Sequence, residues 1–168
     1  MSKLIFINYI SRSGSTFLCS ELAKLPGVEV GIEAGFPGFP DRLIPNKFKP
    51  IRSKSQLSDY LALLYEDIRF KEWKVDRLEL ENALSSLEFP ISFKEIFTAC
   101  IDGYFPNVQS TSFLVHKAGG YMNDLDFCDS QFPNSKHIFI VRDPRSIYNS
   151  QKQAIDLYSS KNMGSNVL

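Results

Sequence analysis

The sequence predicts an α/β domain built on a parallel sheet, and three observations carry that reading. The apolar runs at Leu4–Ile7 and Ile138–Val141 are continuous rather than alternating, as in strands buried on both faces. Each passes through a short polar loop into a segment with helical periodicity. Strand and helix patterns alternate along the chain, the mark of parallel βα units. With 168 residues, the chain fits one domain, 1–168.

The elements follow in order. Lys3 to Ile10 reads as a strand, with Asn8 interrupting its apolar run. A polar loop, Ser11 to Ser15, leads into a helix from about Thr16 to Leu25, which Pro26-Gly27 stops. Val28 to Ile32 is a second strand. Glu33 to Pro50 is rich in Gly and Pro and reads as a long loop, of the kind that often carries function. Leu57, Leu61, Leu64 and Ile68 recur at helical spacing. Asp76-x-x-Glu79 starts another helix, with Leu80, Ala83, Leu84 and Leu87 on one face. Ser92-x-x-Glu95 is a capping box, followed by a stripe of Phe93, Ile96, Phe97, Cys100 and Ile101. Two strand–turn units close the pattern. Ser112 to His116 leads into Lys117-Ala118-Gly119-Gly120, and His137 to Val141 leads into Arg142-Asp143-Pro144. Asp143 suits a helix N-cap and Pro144 the first helical position. The last helix reaches about Leu157, and Ser159 to Asn166 is expected to fray.

Composition excludes several classes. Hydrophobic residues at 43% and charged residues at 23% describe an ordinary globular chain. Nineteen basic residues balance nineteen acidic ones, which speaks against a non-specific nucleic-acid binder. No stretch approaches the length of a membrane span, and the N-terminal apolar run is too short for a signal peptide. Cys19, Cys100 and Cys128 match no metal or redox spacing and read as reduced cysteines of a cytoplasmic protein.

Chemistry concentrates in two places. Ser11-Arg12-Ser13-Gly14-Ser15-Thr16 joins a buried strand to a helix. A helix N-terminus offers unpaired N–H groups and partial positive charge, so it suits phosphate or sulfate. Gly14 permits close approach of an anion, Ser13, Ser15 and Thr16 add hydroxyls, and Arg12 adds a permanent charge. The loop lacks the Walker lysine and second glycine, so it suits a single phosphate better than a magnesium-bound triphosphate. The second place is Arg142-Asp143-Pro144-Arg145 through Ser150. There an Arg ends a strand, and a Ser eight residues on lies on the adjoining helix. Ligands in such sheets gather at the carboxyl ends of strands.

Taken together, the two segments resemble the sulfotransferase superfamily, which uses 3′-phosphoadenosine 5′-phosphosulfate as donor. Arg12-Ser13-Gly14-Ser15-Thr16 matches the family's (K/R)-x-G-[ST]-[ST] loop, which holds the 5′-phosphosulfate. Arg142 through Ser150 matches its R-[DN]-P-[KR]-x-x-x-x-S motif, whose Arg and Ser bind the 3′-phosphate. The loop is similar to those of the bacterial carbohydrate-type and Golgi-type branches. The resemblance covers Lys3 to about Leu157 and implies a three-layer α/β/α fold like that of P-loop nucleotide-binding proteins. It also implies sulfuryl transfer to a hydroxyl of a carbohydrate or other small metabolite, with no metal.

In-line attack by a hydroxyl needs a base near the acceptor and positive charge at the leaving phosphate. Glu33 heads the long loop, where the Glu-using branches resemble this chain, and it is the preferred base. His116 is the rival, because the cytosolic branch places its catalytic His at the end of the corresponding strand. Lys117 and Arg12 are the candidates for the transferring group and its bridging oxygen. Family members continue past the last helix with a segment that closes over the adenine, so the resemblance implies that this part is missing here. Two alternatives accompany the reading: a non-catalytic truncated nucleotide-binding module, and a kinase-like phosphotransferase, against which the absent Walker lysine speaks. The acceptor has no recognisable signature.

Overall fold

The computed structural model describes residues 3–31, 33, 34, 36, 48–105, 113–117 and 125–160, with the backbone alone over 156–160. A four-stranded parallel sheet forms its centre, in the order β2-β3-β1-β4, from β1 (Lys3–Asn8), β2 (Val28–Val30), β3 (Phe113–Lys117) and β4 (Lys136–Phe139). The helices are α1 (Ser15–Leu22), α2 (Lys54–Leu64), α3 (Ile68–Glu72), α4 (Arg77–Ser85), α5 (Phe93–Tyr104), α6 (Leu125–Gln131) and α7 (Pro144–Ser160).

The alternation of side chains along each strand divides the core in two. Phe6 and Leu114 face a thick layer of Leu57, Leu61, Phe70, Leu84 and Phe97, contributed by α2 to α5, with Cys128 from α6. Ile7, Tyr9 and Val115 face the other way, against Leu18, Cys19 and Leu22 of α1. The sheet therefore lies between two helical layers, and the α/β/α expectation holds. Asn8, the polar residue in the first apolar run, is buried, and its Nδ2 lies 3.1 Å from Nδ1 of His137 on β4.

Several boundaries differ from the expectation, each for a local reason. The first helix closes at Leu22, with Gly27 at φ 75° in the turn that follows. Ile68 does not continue the stripe of α2. Asp67 intervenes as the N-cap of a separate short helix, accepting from the Arg69 and Phe70 amides at 2.8 Å, and Ile68 is left 74% exposed. Such a helix is too short to persist alone. Phe70 holds it down, fully buried against Phe36, Tyr65 and Trp73. Burial of one such side chain is worth about 1.5–3 kcal/mol. Leu87 lies beyond the end of α4 and Ala83 faces outward, so the buried face of α4 is Leu80 and Leu84. The capping box at Ser92 and Glu95 forms, and its whole stripe from Phe93 to Ile101 is buried. Helix α6 was not anticipated. The final helix extends to Ser160, beyond the expected Leu157. Ile32, Ser112, most of the Gly/Pro-rich stretch, residues 118–120 and residues 161–166 lie outside the described residues.

The topology selects where a ligand can sit. β1 is flanked by β3 on one side and β4 on the other: the chain leaves β1 toward the β2 edge and later crosses from β3 over to β4 at the opposite edge, so the strand order switches beside β1. In open parallel sheets, the crevice beyond the carboxyl ends at such a switch is the binding position. Tyr9 and Arg12 follow β1, Glu33 follows β2, Lys117 ends β3, and Arg142 follows β4. All five therefore emerge at that end.

Candidate active site

The loop after β1 is tightly wound. The Ser13 amide donates to the Ile10 carbonyl at 3.1 Å. Arg12 has φ 70° and Gly14 φ 98°, both in the left-handed region. For Arg12 this is a strained backbone of the kind that clusters at ligand clamps. Gly14 is the N-cap of α1, and no side chain caps the helix, so its leading amides face outward without a side-chain acceptor. That is the arrangement an anion completes.

A cleft of about 590 Å³ opens over this loop, within the usual size range of small-molecule sites. Arg12, Gly14, Ser15 and Thr16 line it from the loop side. Glu33, Lys117, Arg142 and Ser150 complete it from the other strands and α7. Eight of the ten residues proposed from sequence thus meet in one place. Ser13 and His116 do not. Ser13 is buried beneath the loop. His116 is 1% exposed, within ring-contact distance of Phe6, Phe36, Trp73 and Phe97. Burial pushes its imidazole down to about 3, against a smaller opposing pull from Glu33, so it is neutral at physiological pH. Its neighbour Lys117 points the other way, into the cleft. A larger groove of about 710 Å³ lies between α4 and α5, but no motif residue lines it.

Two hydrogen-bonded groups make up the cleft. In the first, Arg142 Nη1 donates to the Arg12 carbonyl at 2.9 Å, and Arg12 Nε donates to Ser150 Oγ at 3.1 Å. The two motifs, 130 residues apart, are therefore in direct contact. Asp143 accepts from the Arg145 amide at 2.8 Å and from its guanidinium, fixing the start of α7 and leaving Arg142 directed at the loop. The second group centres on Glu33. Lys117 Nζ lies 3.2 Å from its Oε2 and also donates to Thr16 Oγ1 at 3.3 Å, so one ammonium links the candidate base to the start of α1. Arg69 Nη1 holds Oε1, and the Tyr9 hydroxyl donates to the same carboxylate. Burial raises the Glu33 carboxyl, but the Tyr9 hydrogen bond and the charges of Arg69 and Lys117 outweigh it, and Glu33 titrates below the usual carboxylate value. Burial and the Glu33 carboxylate together push the Tyr9 phenol well up, so it remains a donor.

Tyr9 and Arg69 are the residues that sequence reasoning missed. Tyr9 sits where the first strand was expected to continue. Arg69 lies on a helix that was read as the tail of another.

The family model described as the sulfotransferase family matches residues 5–166 of the chain. Neither the curated proteins nor the solved structures include a match to it. Among the described residues no helix is long and apolar enough to cross a membrane. The matched span takes in the loop after β1, Glu33, Lys117 and the start of α7, so the family assignment and the geometry concern the same residues, and this chain belongs to the sulfotransferase family of transferases.

Proposed function

We propose that the chain transfers a sulfuryl group from 3′-phosphoadenosine 5′-phosphosulfate to a hydroxyl of a carbohydrate or another small metabolite, acting as a single domain. The observation that carries this reading is the contact between the two motifs. Arg142, Arg12 and Ser150 converge beside an uncapped helix N-terminus, so cationic donors for two separate phosphates lie in one cleft.

The residues fit such a ligand. The α1 amides with Ser15 and Thr16 suit the 5′-phosphosulfate, because an uncapped helix end and two hydroxyls supply donors without an acceptor of their own. Arg142 and Ser150 suit the 3′-phosphate, where a guanidinium gives charge-assisted bonds. The donor supplies an activated sulfur, whose bond to the bridging phosphate oxygen breaks as the acceptor oxygen attacks, the electron pair leaving on the phosphate. Lys117 and Arg12 stabilise the charge that develops on that oxygen. Glu33 takes the proton of the attacking hydroxyl.

A carboxylate held low is a weak base. The bond from Lys117 to Thr16 bears on this. Drawing Lys117 toward the bound anion removes one counter-charge from Glu33 and raises its basicity when the donor is in place. Among the described residues His116 is buried against aromatic rings and does not line the cleft, which favours Glu33 over it.

The test is transfer of labelled sulfate from the donor to a panel of hydroxyl compounds, sugars first. Labelled product that disappears in Glu33→Gln is expected. Absence of any product, with the donor bound intact, would leave the non-catalytic nucleotide-binding module as the better description.

A further inference from the structure

Arg69 lies outside both motifs, and no part of the proposed reaction has yet used it. It comes from α3, a helix of 5 residues, and crosses to a carboxylate 36 positions earlier in the chain. Both ends of this contact sit beside buried residues. Asp67 caps the backbone at Arg69, and the adjacent Phe70 is fully buried. On the other side, Ala34 directly after Glu33 is fully buried, and Phe36 is 2% exposed. Neither the helix nor the strand exit can drift without disturbing the core.

The two oxygens of Glu33 are divided between two cations. Lys117 takes Oε2 and is shared with Thr16 of the anion loop, whereas the ion pair of Arg69 is with Oε1. The lysine is therefore placed to follow the donor, and the arginine to stay.

We propose that Arg69 is the positioning residue for Glu33: its guanidinium holds Oε1, fixes the plane of the carboxylate, and keeps Oε2 available when Lys117 turns to the bound donor. This rests on Glu33 as the base. The planar guanidinium suits the task, because its donors leave along fixed directions and it stays charged at every relevant pH. Among the described residues, the other groups that interact electrostatically with Glu33 are Tyr9, which donates to it, Cys19 on α1, Lys117 and, from the far side of β3, the neutral His116.

The inference is tested by titration and by rate. The Glu33 carboxyl is followed by carbon NMR in protein labelled at glutamate, its resonance assigned by its loss in Glu33→Gln. The pH profile of donor turnover is measured in parallel, with the best acceptor from the panel or with water, by release of the 3′,5′-bisphosphate. Arg69→Gln removes the charge but keeps donors. Its Glu33 midpoint and the acid limb of kcat/KM should both move up by about one pH unit, the low end for a partly exposed pair, while kcat falls. Arg69→Lys should restore the midpoint but only part of kcat, since an ammonium cannot hold the carboxylate plane. Lys71→Gln, with the same charge change on the exposed side of α3, should move neither. An unchanged midpoint in Arg69→Gln, or an equal shift in Lys71→Gln, overturns the proposal. If Glu33→Gln remains fully active, the base assignment fails instead, and with it the positioning role, although the titration still reads whether the ion pair holds.

Discussion

The two hydrogen-bonded groups of the cleft differ in what they leave unsatisfied. Around Arg12, guanidinium groups contact a backbone carbonyl and a serine hydroxyl, and among the described residues no carboxylate pairs with them. Around Glu33, one carboxylate already answers two cations and a phenol. The first group is short of negative charge and suits a ligand that brings it. The second is balanced until something competes for Lys117. On the proposed reading, one side of the cleft binds an anion and the other holds a carboxylate ready, and the bond between Lys117 and Thr16 joins them.

The largest way to break this division is to remove the carboxylate. Glu33→Gln keeps the shape of the side chain and should cost about 10²–10⁴-fold in turnover, with bisphosphate affinity retained. His116→Asn should affect turnover far less. A dead His116→Asn alongside an active Glu33→Gln would reverse the assignment.

On the other side, Arg142→Ala should weaken the 3′,5′-bisphosphate by about tenfold or more and adenosine 5′-phosphate little. A charged hydrogen bond to phosphate contributes about 1.5–3 kcal/mol. Calorimetry with both nucleotides decides the point, and equal losses would assign Arg142 to the fold, through its bond to the Arg12 carbonyl.

His116 marks the back of the Glu33 side, across the sheet. In the folded chain it stays neutral down to about 3, against an ordinary value of 6.5. Between these values the unfolded state binds the extra proton, so stability rises with pH and is complete above about 6.5. This group contributes at most about 1.4 kcal/mol per pH unit. Urea unfolding at about pH 5 and about pH 7 should show this slope in the native sequence and a flatter one in His116→Asn, whatever the absolute stability of that variant.

The smallest effect belongs to Gly14. A Cβ there meets nothing within 4 Å, so Gly14→Ala is penalised by its φ of 98° alone. The expected loss is about 1 kcal/mol, or about 2–4 °C in Tm. A much larger loss would mean that the loop carries strain shared with Arg12.

Much of this arrangement was legible because local chemistry and fold agreed. The loop at Arg12 lies between a doubly buried strand and a helix, and Arg142 follows a strand ahead of an Asp-Pro helix start. In both, position along the chain determines position in the sheet. Arg69 was not legible, because its role depends on where a short helix docks, and that depends on Phe70 burying among residues distant in sequence. The stripe Leu57–Leu61–Leu64 continues arithmetically to Ile68, but Asp67 competes for the backbone amides and ends it. His116 was misleading for a related reason. Neighbours on a strand face opposite sides, yet the run Phe113–Val115 is apolar throughout, and only the packing of both faces tells His116 from Lys117. Helix α6 contributes Phe127 and Cys128 to the core over 7 residues, too few for a periodic signal.

The most direct measurement is calorimetry of 3′-phosphoadenosine 5′-phosphate with the folded chain in EDTA. The account predicts binding without magnesium, lost in large part in Arg142→Ala and retained in Glu33→Gln. Binding of ATP with magnesium, and none of the bisphosphate, would contradict it and point to phosphoryl transfer.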